Sequence, residues 1–594
     1  MPDLIKKLYP YCKRHKQSLL AGMAVVLLMN VFYSLIPKVT GNAIDTIFRP
    51  GMRMRDIWHY VVLIGALVGG GAIMQYLQRI LLIIPSWKIQ YEFRNDFFRH
   101  LTKLSPSFYD RMKTGDIISR VIGDIDQIRS VLGPGILRPL EAVTLAPIVL
   151  VYMTLMSWPV AIVAFIPTFS VPILVNIIAN RMFRRSLLVQ EHFSDFSGRI
   201  QESLAGVRVI RSFVQEDHEM EVLDGFNKKN ADLNMDIARL EALFRPVLMG
   251  IYILGTIIII WTSAFFVTRD PNTVGKHGMM SVGQFISFVM YYRYLFWPIM
   301  GMGWIVSIYQ RASASMHRLM LIWSQVPDIR DTEETDRSLT SVRGDIELRN
   351  LTFAFPSTER PSLRNVNLRI PQGRTLGIVG PVGSGKSTIG NLIGRLYDPP
   401  AGTVFVDGQD VRRFPLDVLR KSVGIVFQET YLFSDTITEN ICFGLPQGPD
   451  SETAQQAAVA ASVEEDILGF PKGYETILGE RGVNLSGGQK QRVSLARALA
   501  TDPPILILDD AFASVDTHTE ERILQSLRRI LEGRTTLLIS HRISTVKLAD
   551  EIIVLDEGRI VEQGTHEELV AKGGLYAEIN QRQLLEEAIL KEEG

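Results

Sequence analysis

Residues 142–179 form a run of 38 without a single charged side chain. As one α-helix the run would be ~57 Å long, almost twice the ~30 Å hydrocarbon core of a bilayer. It therefore reads as two membrane spans. The break falls at Ser157-Trp158-Pro159, where proline can start a helix and tryptophan suits an interface. Other apolar runs lie at 18–37, 57–77, 247–267 and 281–310, the last interrupted only by Arg293. The expectation is six spans, at about 18–37, 57–77, 142–157, 159–179, 247–267 and 281–310.

Composition fits a chain partly in lipid. Hydrophobic residues make up 47% and mean hydropathy is +0.14. At 594 residues the chain is too long for one compact domain. Formal charge is zero, which argues against a nucleic-acid partner bound through a global basic field. Two cysteines, Cys12 and Cys442, build neither a disulfide framework nor a Cys-based metal site. They read as packing or surface residues.

Lysine and arginine counts set the orientation. The segment before the first span has five, and the connections 78–141 and 181–246 have ten each. The other connections have four, none and two. This bias places both termini and the two long connections in the cytoplasm, with a signal-anchor-like first span. Apolar spacing at 87–104 and 183–224 is helical, so these connections read as stalks that extend the spans. Each is interrupted, at Ser105-Pro106-Ser107 and at Ala205-Gly206, which suits either a short crosswise helix or an ordinary loop.

Polar residues within spans mark possible substrate paths. Arg293 is the sharpest, because a mid-span charge costs at least ~2.5 kcal/mol unless it meets water or a partner. Snorkelling to an interface or a structural pair explains it equally well. For Asn30, Gln75 and Asn176, interhelical hydrogen bonds are an equal explanation.

From about residue 344 the pattern changes. Residues 345–355 alternate like a strand. Residues 375–379 form a buried-strand signature that runs into Gly380-Pro-Val-Gly383-Ser384-Gly385-Lys386-Ser387-Thr388. This is a G-x-x-x-x-G-K-S phosphate-binding loop in its strand–loop–helix context. Its backbone N–H groups and the helix start point positive charge at phosphates. Lys386 suits the β- and γ-phosphates of ATP and Ser387 suits Mg²⁺. A second apolar strand, 504–508, ends in Asp509 and Asp510. Asp509 suits Mg²⁺, directly or through water, and Asp510 stands where a general base or water-orienting group acts.

Leu485-Ser486-Gly487-Gly488-Gln489 followed by Lys490-Gln491-Arg492 resembles the signature of ABC transporter cassettes. The resemblance implies that this signature faces an ATP held by a second cassette. It also implies adenine stacking on Phe355, a Q-loop at Gln428 that contacts Mg²⁺, a D-loop at Asp516, and a switch histidine at His541. Gly479-Glu480-Arg481-Gly482 resembles a segment that links cassette and coupling helices in exporters. Residues 105–120 and 201–216 resemble the two coupling regions of exporters, which favours short crosswise helices there. In these exporters the second coupling helix docks on the partner's cassette.

The implied architecture is a membrane α-helical domain at 1–325, a linker at 326–343, an α/β P-loop cassette at 344–585 and a tail at 586–594. The resemblance is to multidrug-resistance-like half-transporters of the exporter type. It implies ATP-driven export of a hydrophobic or amphipathic compound across the inner, cytoplasmic membrane by a dimer. The alternatives are a lipid or peptide translocator with the same engine, or an ATP-gated channel or regulatory ABC protein.

One departure stands out. The family carries Glu after the Mg²⁺ aspartate, and this chain carries Asp510. Asp is one CH₂ shorter, and a ~1 Å displacement of a catalytic group can cost about a hundredfold in rate. The departure resembles one subunit of heterodimeric exporters, whose two ATP sites are unequal; the alternative is a homodimer that hydrolyses slowly.

Overall fold

The computed structural model describes the chain except residues 1, 50, 269–272, 357, 359, 480–481, 483, 513–530 and 593–594. The D-loop position Asp516 and the Glu480-Arg481 pair therefore lie outside the described residues. The chain divides into two compact units. One is Met1–Thr102 with Gly115–Gln325, and the other is Lys103–Thr114 with Val326–Gly594.

The first unit is helical. It contains α1 (Pro2–Arg14), α2 (Lys16–Ile47) and α3 (Met54–Leu101). After α4 (Pro106–Arg111), which belongs to the second unit, come α5 (Thr114–Ser119), α6 (Ile125–Leu132) and α7 (Pro134–Met156). Then follow α8 (Trp158–Ala205), α9 (Val207–Ser212), α10 (Glu216–Ser263) and α11 (Val282–Trp323). Among the described residues, five helical segments are long and apolar enough to cross a membrane. They carry the first five predicted runs, and α11, of 42 residues, carries the sixth.

The break in the 142–179 run is sharp. Ser157 adopts an extended backbone (φ −158°, ψ 101°) between α7 and α8. Its hydroxyl donates to Gly278 O at 2.6 Å. Around this turn Val149, Met153, Val160, Ala164, Ile259, Phe288 and Tyr291 form a buried apolar cluster. Nearby, Asp45 near the end of α2 accepts from Ser281 Oγ and from Gly283 N (2.7 Å), capping the start of α11.

Helices α3, α8 and α10 have 48 residues each. At ~72 Å they exceed a bilayer more than twofold and must project beyond it. Past the apolar runs α8 and α10 remain paired, through His192 Nε2 and Phe226 O (2.9 Å) and through Arg185 and Asp236 (3.1 Å). At the tip, Glu219 accepts from Ser203 Oγ and Arg199, both at 2.6 Å. The interruptions at 105 and 206 lead into short helices of six residues each, α4 and α9.

The second unit holds two sheets. An antiparallel sheet has the order β2 (Leu363–Ile370), β1 (Ile346–Phe353), β4 (Val404–Val406), β5 (Gln409–Asp410). A six-stranded sheet has the order β10 (Arg559–Gly564), β9 (Glu551–Asp556), β3 (Thr375–Val379), β8 (Thr535–Ile539), β7 (Ile505–Asp509), β6 (Val423–Val426). Strands β9, β3, β8, β7 and β6 are parallel, and β3, β7 and β8 are buried along nearly their whole length. That burial explains their unbroken apolar sequence. Beyond α13 (Leu416–Ser422), a separate lobe packs α14 (Ile437–Ile441), α15 (Ser451–Ala460), α16 (Glu464–Leu468) and α17 (Gly487–Ala500) around its own apolar core.

Candidate functional site

Because β8 lies between β3 and β7, three strand ends converge at one edge of the parallel sheet. This is where open α/β sheets bind ligands. The phosphate-binding loop follows β3, Asp509 and Asp510 end β7, and Ser540 and His541 follow β8.

The loop requires glycine at Gly380 and Gly385. Gly380 has φ 153°, and a Cβ there would lie 2.0 Å from Leu555 O. Gly385 has φ 99° at the start of α12 (Lys386–Ile393), and a Cβ would lie 2.4 Å from Ser362 O. Lys386 Nζ donates to Gly380 O (2.9 Å) and Pro381 O (2.8 Å). Burial lowers its pKa, against the pull of Asp510 and Asp509. Ser384 Oγ is buried with no partner among the described residues. Ser387 Oγ donates to Asp509 Oδ1 at 3.0 Å. Burial raises the Asp509 pKa, and the Ser387 bond opposes it.

A cationic Lys386, an orphaned hydroxyl and open N–H groups at a helix start suit a triphosphate. The adjoining hydroxyl and carboxylate form an all-oxygen donor set that suits Mg²⁺. Ser387 and Asp509 would hold that ion, which would neutralise phosphate charge.

Asp510 sits at φ 51°, a left-handed backbone that Asp tolerates better than most residues. Its carboxylate is 9% exposed. Oδ1 accepts from His541 N at 3.3 Å, and Oδ2 meets Gln428 Nε2 at 3.5 Å and His541 Nε2 at 3.6 Å. Sequence reasoning thus selected side chains that the fold brings together: Lys386, Ser387, Asp509, Asp510, Gln428 and His541.

The signature lies elsewhere, on the helical lobe. Ser486 caps α17, accepting from Gln489 N at 3.2 Å, while Gln489 Oε1 accepts from Ser486 N at 3.0 Å. Leu485 and Gly488 are buried, and Ser486 and Gly487 are exposed. The helix start therefore faces outward, and Gln489 is held from behind by Asp466 at 2.8 Å.

Two contributors escaped the sequence reading. The Phe355 ring meets Tyr397 edge-on at 4.9 Å, and Tyr397 OH donates to Asp110 Oδ2 of α4 at 2.6 Å. Gln583 brackets the switch segment, donating to His541 O (2.5 Å) and accepting from Ile543 N (2.8 Å). No periodicity or motif marks either residue.

The span residues divide. Asn30 is buried and donates to Glu141 O (3.3 Å) and Thr144 Oγ1, an interhelical role. Gln75 accepts from Tyr33 OH at 3.3 Å, and Asn176 accepts from Asn180. Arg293 is exposed and makes no hydrogen bond or ion pair among the described residues.

Residues 19–299 match the ABC transporter transmembrane region, and residues 363–513 match the ABC transporter family. The chain is 33% identical over 590 residues to the multidrug resistance-like ATP-binding protein MdlA of Escherichia coli, covering 99% of this chain and 98% of that protein. It is 34% identical over 598 residues to the ATP-dependent lipid A-core flippase of Syntrophus aciditrophicus, covering 100% and 96%. A bacterial Atm1-family ABC exporter with ATP bound superposes with a TM-score of 0.77 at 26% identity, covering 96% and 99%.

Proposed function

This chain belongs to the ABC transporters, as an exporter-type membrane region and an ATP-binding cassette in one polypeptide, and from that premise we propose a specific division of labour. It is an ATPase coupled to transport across a membrane. The proposed cargo is a hydrophobic or amphipathic compound exported across the cytoplasmic membrane. The proposed assembly is a heterodimer in which this chain's own ATP site hydrolyses slowly.

The observation that carries the proposal is the Asp510 carboxylate. Its short side chain is drawn back onto His541 N, His541 Nε2 and Gln428 Nε2 at the strand end. A group so placed suits holding nucleotide better than orienting an attacking water. In this reading Phe355 stacks on adenine. Gly380, Gly383, Ser384, Gly385, Lys386 and Thr388 surround the phosphates, with Ser387, Asp509 and Gln428 at Mg²⁺. The outward-facing start of α17, in the signature Leu485 to Gln489, completes the partner's ATP site, and the resemblance gives Asp516 the D-loop role.

Two exposed surfaces support docking between chains. Val207, Val209, Phe213 and Val214, in and just after α9, are exposed. The cassette exposes an aromatic patch of Tyr431, Phe433 and Phe443. We assign α9 to the partner's patch. ATP held by both cassettes then favours the closed pair, and the coupling regions pass that closure to the spans. A lipid translocator with the same engine is the second reading, favoured by the likeness to lipid A-core flippases.

Purifying the chain alone and measuring ATP turnover tests the unequal-site reading. The expected result is ATP binding with turnover near background by the lone chain, and a gain with Asp510→Glu once the chain is assembled with its partner. Robust turnover by the lone chain, abolished by Asp510→Asn, would refute it.

A further inference from the structure

A second polar site lies among the membrane helices, apart from the cassette. Gln75, Gln78 and Arg79 of α3 and Leu137, Arg138 and Glu141 of α7 line a pocket of about 170 Å³. Glu141 is sixteen residues before the Ser157 turn, so it lies ~24 Å along the helix from that end. In the orientation set by the basic connections, this is the inner-leaflet side of the ~30 Å core, about 6 Å from the headgroup boundary and within reach of a headgroup.

Gln78 is 2% exposed. Its Nε2 donates to Glu141 Oε1 at 3.1 Å. A carboxylate accepts only, so this bond settles which amide atom faces Glu141. The amide oxygen of Gln78 is left buried with no partner among the described residues. Glu141 is already satisfied, since its other oxygen accepts from Arg138 at 3.0 Å. Arg79 makes no ion pair among the described residues. Two guanidiniums and one carboxylate leave the pocket one positive charge in excess.

These groups specify a ligand. The excess charge calls for an anionic group, and bidentate guanidinium favours phosphate. The buried amide oxygen calls for an N–H or O–H donor, since leaving it unmet is costly. The volume is below that of a drug-sized pocket and suits a headgroup of a few atoms. Exposed Val151 and Leu155 lie farther along α7, toward the Ser157 turn. We propose that this pocket binds the headgroup of an amphiphile that carries a phosphate beside an amine or hydroxyl donor. The phosphate pairs with Arg79, and the donor meets the Gln78 amide oxygen. The assignment deepens the exporter reading, on which it rests only for the depth in the membrane.

The test uses the full chain, with its partner where assembly requires one, in detergent micelles. Binding of phosphatidylethanolamine, phosphatidylglycerol and phosphatidylcholine with identical tails is measured by native mass spectrometry. Phosphatidylcholine has the phosphate but no N–H or O–H donor. The first two lipids should bind about tenfold more tightly, the size expected for an unmet buried acceptor. Gln78→Met should abolish that preference. Arg79→Gln, on the exposed rim, should weaken all three lipids and leave diacylglycerol binding unchanged. Equal binding of the three lipids by the unaltered protein, or a preference that survives Gln78→Met, overturns the proposal. ATP-driven movement of the bound lipid between leaflets would identify it as cargo, and binding without movement as a resident lipid. Loss of ATP-driven export with the preference intact overturns the export reading alone.

Discussion

Tyr397→Phe removes one oxygen and leaves a ring. The ring keeps its edge-on contact with Phe355 at 4.9 Å, so the packing behind the proposed adenine platform is preserved. What disappears is the bond from the hydroxyl to Asp110 Oδ2, 2.6 Å long, on α4. Burial, and then the Asp110 bond, hold the tyrosine pKa well above its ordinary value, so the hydroxyl stays a donor at neutral pH. A hydrogen bond to a charged group contributes about 1.5–3 kcal/mol. Asp110 is exposed, and solvent screening brings the figure to ~1 kcal/mol. That energy corresponds to about a fivefold change in an equilibrium. The assay is ATP hydrolysis by the chain assembled with its partner in proteoliposomes, with and without a transported compound, beside the ATP dissociation constant. The stimulated-to-basal ratio should fall about fivefold, while ATP affinity holds within about twofold. Asp110→Ala should give the same loss, and the double variant no more than either alone. Additive losses, or a fall in ATP affinity that accounts for the change, would show that the bond does not link the proposed nucleotide site to α4.

Three other outcomes are expected. Gly385→Ala forces a Cβ to within 2.4 Å of Ser362 O at φ 99°, so ATP binding should fall more than tenfold, read by equilibrium binding. Asp45→Ala deletes the cap that joins α2 to the start of α11, and should cost about 1–2 kcal/mol, read as a lower unfolding midpoint in detergent. The Glu219 carboxyl is held below its ordinary pKa, first by Ser203 and then by Arg199 against an opposing burial effect. Its contribution is therefore present above the unfolded pKa of about 4.3 and is lost as pH falls through the lower folded value. Hydrogen exchange at 203–219 should accelerate across that window, and Glu219→Gln should remove the pH dependence.

Much of this protein is legible along the chain because water and lipid act on it locally. A 38-residue run without charge cannot be one span, and Ser157 breaks it where the proline and tryptophan stand. The phosphate-binding loop is legible because only glycine fits at Gly380 and Gly385, and because Lys386 and Ser387 must follow at fixed spacing. The acids after β7 and the histidine after β8 are marked by apolar strands that end abruptly in polar residues.

Tertiary structure alone decided the rest. Nothing local sets β8 between β3 and β7, yet that order carries Asp510 to within 3.6 Å of His541. Nothing local assigns Lys103–Thr114 to the cassette unit, or pairs Tyr397 with an aspartate 287 positions away. Asn30 and Arg293 both break apolar runs in the sequence, Arg293 as the sharper candidate for a substrate path. One is buried in an interhelical bond and the other is exposed. The physical reason is common to all of them. Partition into lipid and the backbone limits of glycine are properties of short segments. A bond between distant side chains forms only after the packing of many apolar residues has met the entropy of closing the chain between them.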